Sequence, residues 1–197
     1  MSRQTAFVLG YHGCDRSIGE RALSGEADIL HSTRNFDWLG AGSYFWEGDP
    51  VRAWEWANQK KARGDYDEPF VIGAAIDLGN CLDLLVRENL ELVRYAAVSF
   101  EAVRKASDLE MPVNTVAPKD KSKALVMRYL DCAVMNHLHT IIEGPDRPEG
   151  VDAYDSVRAL FPEGEPLYAG SGFQDRTHVQ IAVRNPACIK GIFRLRS

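Results

Sequence analysis

The sequence has few cysteines and sets none of them as a pair. Its four, Cys14, Cys81, Cys132 and Cys188, are too far apart for any CxxC motif. That spacing excludes a zinc ribbon and a thioredoxin-type redox site, and it fits free thiols in a reducing compartment. No apolar run approaches about 18 residues, so no membrane span is expected. The opening stretch, MSRQTAFVLGYHG, has one Arg and then turns into a β-prone apolar pattern, without a signal-peptide core. A cytoplasmic chain is the expectation. Internal repeats, low-complexity tracts and heptads are missing too, which excludes solenoids and coiled coils. Net charge is −5, so charge alone implies no broad phosphate-binding surface. Local basic patches remain open at Lys119, Lys121 and Lys123, or at Arg194 and Arg196.

What is present suffices for one domain over residues 1–197, since 45% of the chain is apolar. Thr5–Gly10 (TAFVLG) reads as a buried strand. Ser17 with Glu20 forms a capping-box pattern for a short helix to Leu23, stopped by Gly25. Residues 26–38 read as an irregular connection ending in Asp37-Trp38. Gly40-Ala41-Gly42 is a tight turn, but no dinucleotide fingerprint, because Phe45 stands at the third glycine position. Ser43–Trp46 is a short strand with Tyr44 and Phe45 on opposite faces. Asp49-Pro50 starts a helix over Val51–Ala62, with Ala53, Trp56 and Ala57 on one face.

Phe70–Leu78 reads as a strand, and the stripe Leu90, Val93, Ala97, Phe100 and Val103 predicts a helix over 87–106. Residues 111–121 read as a polar loop. Ser122 is expected to cap a second helix bearing Leu125, Tyr129, Ala133 and Val134. Thr140–Ile142, Asp155–Phe161, Thr177–Arg184 and Cys188–Leu195 read as strands, with Asn185-Pro186 turning between the last two. Many short strands with helices gathered at 80–140 predict an α+β domain carrying a mainly helical insertion.

Several polar residues stand out. His12 sits before Gly13 at a strand end, either as a structural histidine or as a group freed toward a ligand. Cys14 lies beside it, and a Cys–His nucleophile would still need an orienting group. His137 and His139 have a spacing that suits a metal on a strand, without a nearby acidic cluster to complete it. Loop 162–175 is long enough to suggest function. In the strand after it, Val179, Ile181 and Val183 share one face, and His178, Gln180 and Ala182 the other. A Gln facing inward without partners costs about 1–3 kcal/mol, so Gln180 needs a ligand or a backbone edge.

Taken together, three stretches resemble the ADP-ribosyltransferase fold, in its diphtheria-toxin-like and poly-ADP-ribose-polymerase-like branch. Tyr11-His12-Gly13 is similar to its His-Gly strand end. Gly40-x-Gly42-Ser43-Tyr44-Phe45 is similar to its Gly-x-Gly-Ile-Tyr-Phe strand. Gln180–Ile189 is similar to the strand and turn that begin with the family's Glu. The resemblance implies a split, mixed or antiparallel sheet and a His-Tyr-Gln variant of the His-Tyr-Glu triad. It implies NAD as substrate, with no metal. His12 would hold the adenosine ribose, Gly13 the nicotinamide amide, and Tyr44 the nicotinamide ring, with Ser43 beside it and Trp56 closing the other side. Gln180 would take the place of the catalytic Glu, without its charge. Glu163 or Glu165 would then be a helping carboxylate or an exposed loop charge. His178 falls where toxin-like relatives carry an acceptor-reading residue.

The function implied is mono-ADP-ribosyl transfer to a protein or nucleic-acid acceptor with release of nicotinamide. It would suit an intracellular toxin or defence enzyme with a neutralising partner protein. The alternatives are an NAD- or ADP-ribose-binding module that has lost the chemistry, and a Cys–His hydrolase built on Cys14 and His178.

Overall fold

A computed structural model describes residues 7–116, 125–145, 147 and 149–196. The fold is α+β, with one seven-stranded sheet and, among the described residues, four α-helices. The strands are β1 (Phe7–Asp15), β2 (Ser43–Glu47), β3 (Pro69–Asp77), β4 (Cys81–Asp83), β5 (Ser156–Phe161), β6 (His178–Val183) and β7 (Ile189–Arg194). They lie side by side in the order β4-β5-β6-β2-β1-β3-β7. Only β4 and β5 run parallel. The helices are α1 (Arg16–Leu23), α2 (Pro50–Ala62), α3 (Arg87–Ala106) and α4 (Tyr129–Glu143).

Local chemistry sets most boundaries. Asp15 caps α1, accepting from the Ser17 amide at 3.0 Å, so the cap lies two residues before the expected Ser17. Glu20, expected in a capping box, pairs instead with Arg194. Asp49 caps α2 through the Arg52 amide, Pro50 occupies the first turn, and Gly64 follows the helix at φ +82°. The strand β4 lies inside the segment expected to be helical: at three residues it is too short to show a period. Helix α4 starts at Tyr129, and its first turn is capped from outside the helix: Asn114 Oδ1 accepts from the Leu130 amide at 2.9 Å and the Asp131 amide at 3.3 Å. Leu125 precedes the helix, and Ser122, with Lys119, Lys121 and Lys123, lies outside the described residues. Residues 137–142 are helical, which corrects both the strand expected at Thr140–Ile142 and the strand-borne His pair.

Both faces of the sheet are covered. Phe45, Ile72, Ile76, Ile181 and Val183 pack with α1 residue Ala22 in one cluster. Leu82, Val157, Ala159 and Ala182 pack with α3 and α4 in another. A third, smaller cluster seats α2 residue Ala53 against Trp46 and Val71. Gly13 is required by this seating, because a Cβ there would meet the Ala53 carbonyl oxygen at 2.4 Å. Arg158 of β5 reaches Glu47 of β2 at 2.6 Å and Asp83 of β4 at 3.0 Å, tying three strands together.

The join between β1 and β2 positions the site. These strands pair only at Gly10–Glu47 and Tyr11–Trp46. One residue further along β1, the His12 ring donates from Nδ1 to the Tyr44 carbonyl at 2.8 Å, where an extended ladder would use backbone. The sheet is thus held across the join by a side chain, and the surface above it is left open.

His139 lies behind this region, buried against Tyr154, with neither ring nitrogen hydrogen-bonded among the described residues. Burial, reinforced by Arg184, pulls its pKa down to about 3. The unfolded chain takes that proton near pH 6.5 and the folded chain resists it. Stability is therefore complete above pH 6.5 and falls as pH drops toward 3. His139 alone should remove roughly 2 kcal/mol between pH 8 and pH 5. Urea unfolding at the two pH values checks this, and His139→Leu should flatten the dependence.

Candidate active site

A cavity of about 860 Å³ opens over the β1–β2 join. Ligand-binding clefts typically measure about 300–1,000 Å³. His12 and Gly13 of β1, Tyr44 of β2, Trp56 of α2 and Gln180 of β6 all line it. The structure thus brings five of the sequence-derived candidates to one cavity. Ser43 does not join them: it is buried, and its hydroxyl donates to the Ile29 carbonyl at 3.3 Å.

His12 is held by the Tyr44 carbonyl, which fixes its tautomer. Nδ1 carries the proton and Nε2 is left as an acceptor. Burial lowers its pKa, so the ring is neutral at pH 7. The Tyr44 hydroxyl donates to the Gly40 carbonyl at 2.8 Å and accepts from the Leu39 amide at 3.0 Å. Burial and the nearby Asp37 raise its pKa well above 10. The hydroxyl is therefore committed to the turn, and what Tyr44 offers the cavity is its ring.

Gln180 has found its partners within the chain, 142 residues away and two residues away. Trp38 Nε1 donates to its Oε1 at 2.6 Å, and its Nε2 meets His178 Nε2 at 3.0 Å. His178 Nδ1 in turn lies 2.7 Å from the Arg176 carbonyl. A carbonyl only accepts, so Nδ1 donates there and Nε2 accepts from the Gln180 amide. Every donor in this chain points one way: indole to amide oxygen, amide nitrogen to imidazole, imidazole to backbone. Flipping the amide would set its NH2 against the indole N–H. His178 is buried, stacked on Phe161 at 5.4 Å, and pushed toward its neutral form chiefly by desolvation. It faces Gln180, with both nitrogens committed, and does not stand out toward an acceptor.

The surroundings are cationic. Among the described lining residues, Arg34, Arg52, Lys60, Arg63 and Arg176 stand against two carboxylates, Asp37 and Glu163, although Lys60 also pairs with Asp65 at 2.9 Å. Arg52, only 6% exposed, grips Glu163 with Nε at 3.1 Å and Nη2 at 2.8 Å. Glu163 is thus part of the cavity wall, while Glu165 is exposed. The loop carrying them is an ordered hairpin, with Glu165 paired to Asp175 and Leu167 to Phe173 through backbone hydrogen bonds. Its flanks expose Leu167, Tyr168 and Phe173.

The other candidates fall away from the cavity. Cys14 is buried in the core, and burial pushes its thiol up to about 12, so it is no thiolate nucleophile for His178. His137 faces Ser99 and Phe100 of α3, whereas His139 faces Tyr154, so the two point away from each other across α4. Among the described residues no group of three His, Cys, Asp or Glu could hold a metal ion. No helix among them is long and apolar enough to cross a membrane.

Trp38, Asp37 and Arg52 are site residues that the sequence did not single out as such. The one local signal was the position of Asp37-Trp38 just before the glycine turn. Comparison with family models, with curated proteins and with solved structures finds no match. Function therefore has to be read from the residues themselves.

The one-way chain makes a specific demand of Gln180→Glu. Trp38 can still donate to one carboxylate oxygen, but the other then faces the His178 acceptor lone pair. His178 must take a proton to donate. Its pKa, lowered by burial in the wild type, should rise in the variant. NMR titration of the imidazole checks this, and the same midpoint in both proteins would contradict it.

Proposed function

We propose that this chain is an NAD-dependent mono-ADP-ribosyltransferase of the ADP-ribosyltransferase fold, acting on a protein or nucleic-acid acceptor. The observation that carries the proposal is the meeting of His12, Tyr44 and Gln180 in one cavity, from three strands far apart in sequence. The sheet is one continuous seven-stranded sheet, and the short pairing of β1 with β2 beside these residues is its nearest approach to the split sheet of that fold. The chemistry of each group agrees with its proposed role. The free Nε2 of His12 accepts from a ribose hydroxyl. The face of Tyr44, with Trp56 also in the cavity lining, takes the nicotinamide ring. The cationic lining suits a pyrophosphate, although the whole chain is acidic.

In the reaction proposed, the bond between nicotinamide nitrogen and ribose C1′ breaks, and its electron pair leaves with nicotinamide. C1′ passes through an oxocarbenium-like state, the acceptor lone pair forms the new bond, and the acceptor's proton goes to solvent. Gln180 keeps one lone pair on Oε1 and one hydrogen on Nε2 beyond its bonds to Trp38 and His178. It can hold a ribose hydroxyl by either, without supplying charge. The exposed side chains of the 163–176 hairpin lie beside the cavity wall as a surface for the acceptor. A cytoplasmic toxin or defence role, with a neutralising partner protein, belongs to the same proposal. The uncharged amide favours one alternative, a module that binds NAD without cleaving it.

Nicotinamide release from NAD by the purified chain, with and without cell lysate, separates the two. The transferase is expected to release nicotinamide, faster with lysate. Tyr44→Ala and His12→Ala should each lower the rate roughly 10–100-fold through misplaced substrate. No release, with NAD still raising the melting temperature, would leave the binding module.

A further inference from the structure

We propose that Asp37 is a catalytic carboxylate of this site, presenting through Oδ1 the negative charge that Gln180 lacks. This inference rests on the transferase reading. An oxocarbenium-like ribose calls for a fixed negative charge nearby, and Gln180 is neutral. Of the described lining residues only Asp37 and Glu163 are acids. Both oxygens of Glu163 are engaged by Arg52, so its charge is compensated. Asp37 engages only Oδ2, which accepts from the Ser32 hydroxyl at 2.5 Å and the Arg34 amide at 3.2 Å. Among the described residues Oδ1 has no hydrogen-bond partner. Two donors on one oxygen fix the carboxylate in place before any substrate arrives, which is what electrostatic stabilisation requires.

Asp37 is also next to Trp38, whose indole fixes Gln180. The proposed charge and the amide therefore ride on the same short segment. No covalent bond to Asp37 forms: nicotinamide departs with the bonding electrons, the acceptor attacks C1′, and the carboxylate acts through space.

Burial raises the pKa of Asp37 above the ordinary carboxylate value. Ser32 and Arg34 in its own segment, and Lys60 from α2, act in the opposite direction. Tyr44 of β2 and Cys132 of α4 also face it, both neutral at pH 7. The charged form is the active one, so kcat should fall as pH drops through that raised value.

A purely structural role is the competing account, because Oδ2 also ties the turn. Asp37→Asn separates the two, since its amide oxygen can still accept from Ser32 and Arg34 while the charge is gone. Nicotinamide release is measured for wild type, Asp37→Asn and Ser32→Ala, beside melting temperature with and without NAD. Asp37→Asn is expected to melt like wild type and to keep its stabilisation by NAD. Its kcat should fall roughly 100-fold, and the acid limb of the pH profile should disappear. Wild-type kcat in Asp37→Asn overturns the proposal. So does a loss matched by Ser32→Ala and accompanied by lower melting temperatures, which assigns Asp37 to the turn. Absence of any Tyr44-dependent release from the wild-type chain overturns the transferase reading itself, and the role of Asp37 with it.

Discussion

The hydrogen-bond chain from Trp38 through Gln180 and His178 to the Arg176 carbonyl is the constraint on which the site depends. It joins the segment before the glycine turn, the middle of β6 and the base of the 163–176 hairpin. Each member is satisfied only if the next is oriented correctly. Buried polar groups of this kind specify a geometry because every misoriented alternative leaves a donor or acceptor bare. The chain also requires a neutral His178, which burial beside Phe161 and Trp46 favours. The packing of aromatic side chains and the protonation state of one imidazole are thus parts of the same arrangement.

Charge in the cavity follows a similar logic. Arg52 and Glu163 compensate one another in a bidentate pair, which makes a buried charge tolerable. His12 is tied by Nδ1 to the strand across the join, and the Tyr44 hydroxyl is tied to the turn. What remains for a ligand is one imidazole nitrogen, one aromatic face, part of an amide, one oxygen of Asp37 and a surplus of cations. That set matches a sugar hydroxyl, a flat heteroaromatic ring and a diphosphate better than it matches an acid–base pair for hydrolysis.

Much of this was legible in the sequence where the signal is local. The aromatic strand after Gly40-Ala41-Gly42, the Asp49-Pro50 helix start and the period of α3 all correspond to the observed elements. The pattern of β6 placed Gln180 and His178 together on one face and stated that Gln180 needed partners. What it could not supply was their identity, since Trp38 lies 142 residues away and no periodicity links them. Glu163 stayed open between a helping carboxylate and an exposed loop charge for the same reason: nothing local shows Arg52 of α2 beside it. β4 was too short to show alternation, and its pairing with β5 is a tertiary fact. His137 and His139 misled because a two-residue spacing means one face on a strand and roughly opposite faces on the helix that forms.

The central claim is that this cavity holds NAD with its nicotinamide end at Tyr44 and its adenosine end at His12. The most direct test is a crystal structure of the chain with a non-cleavable NAD analogue. The account predicts the nicotinamide ring against the face of Tyr44, and a ribose hydroxyl within hydrogen-bond distance of His12 Nε2. An analogue bound elsewhere, or bound here with the nicotinamide away from Tyr44, would contradict it.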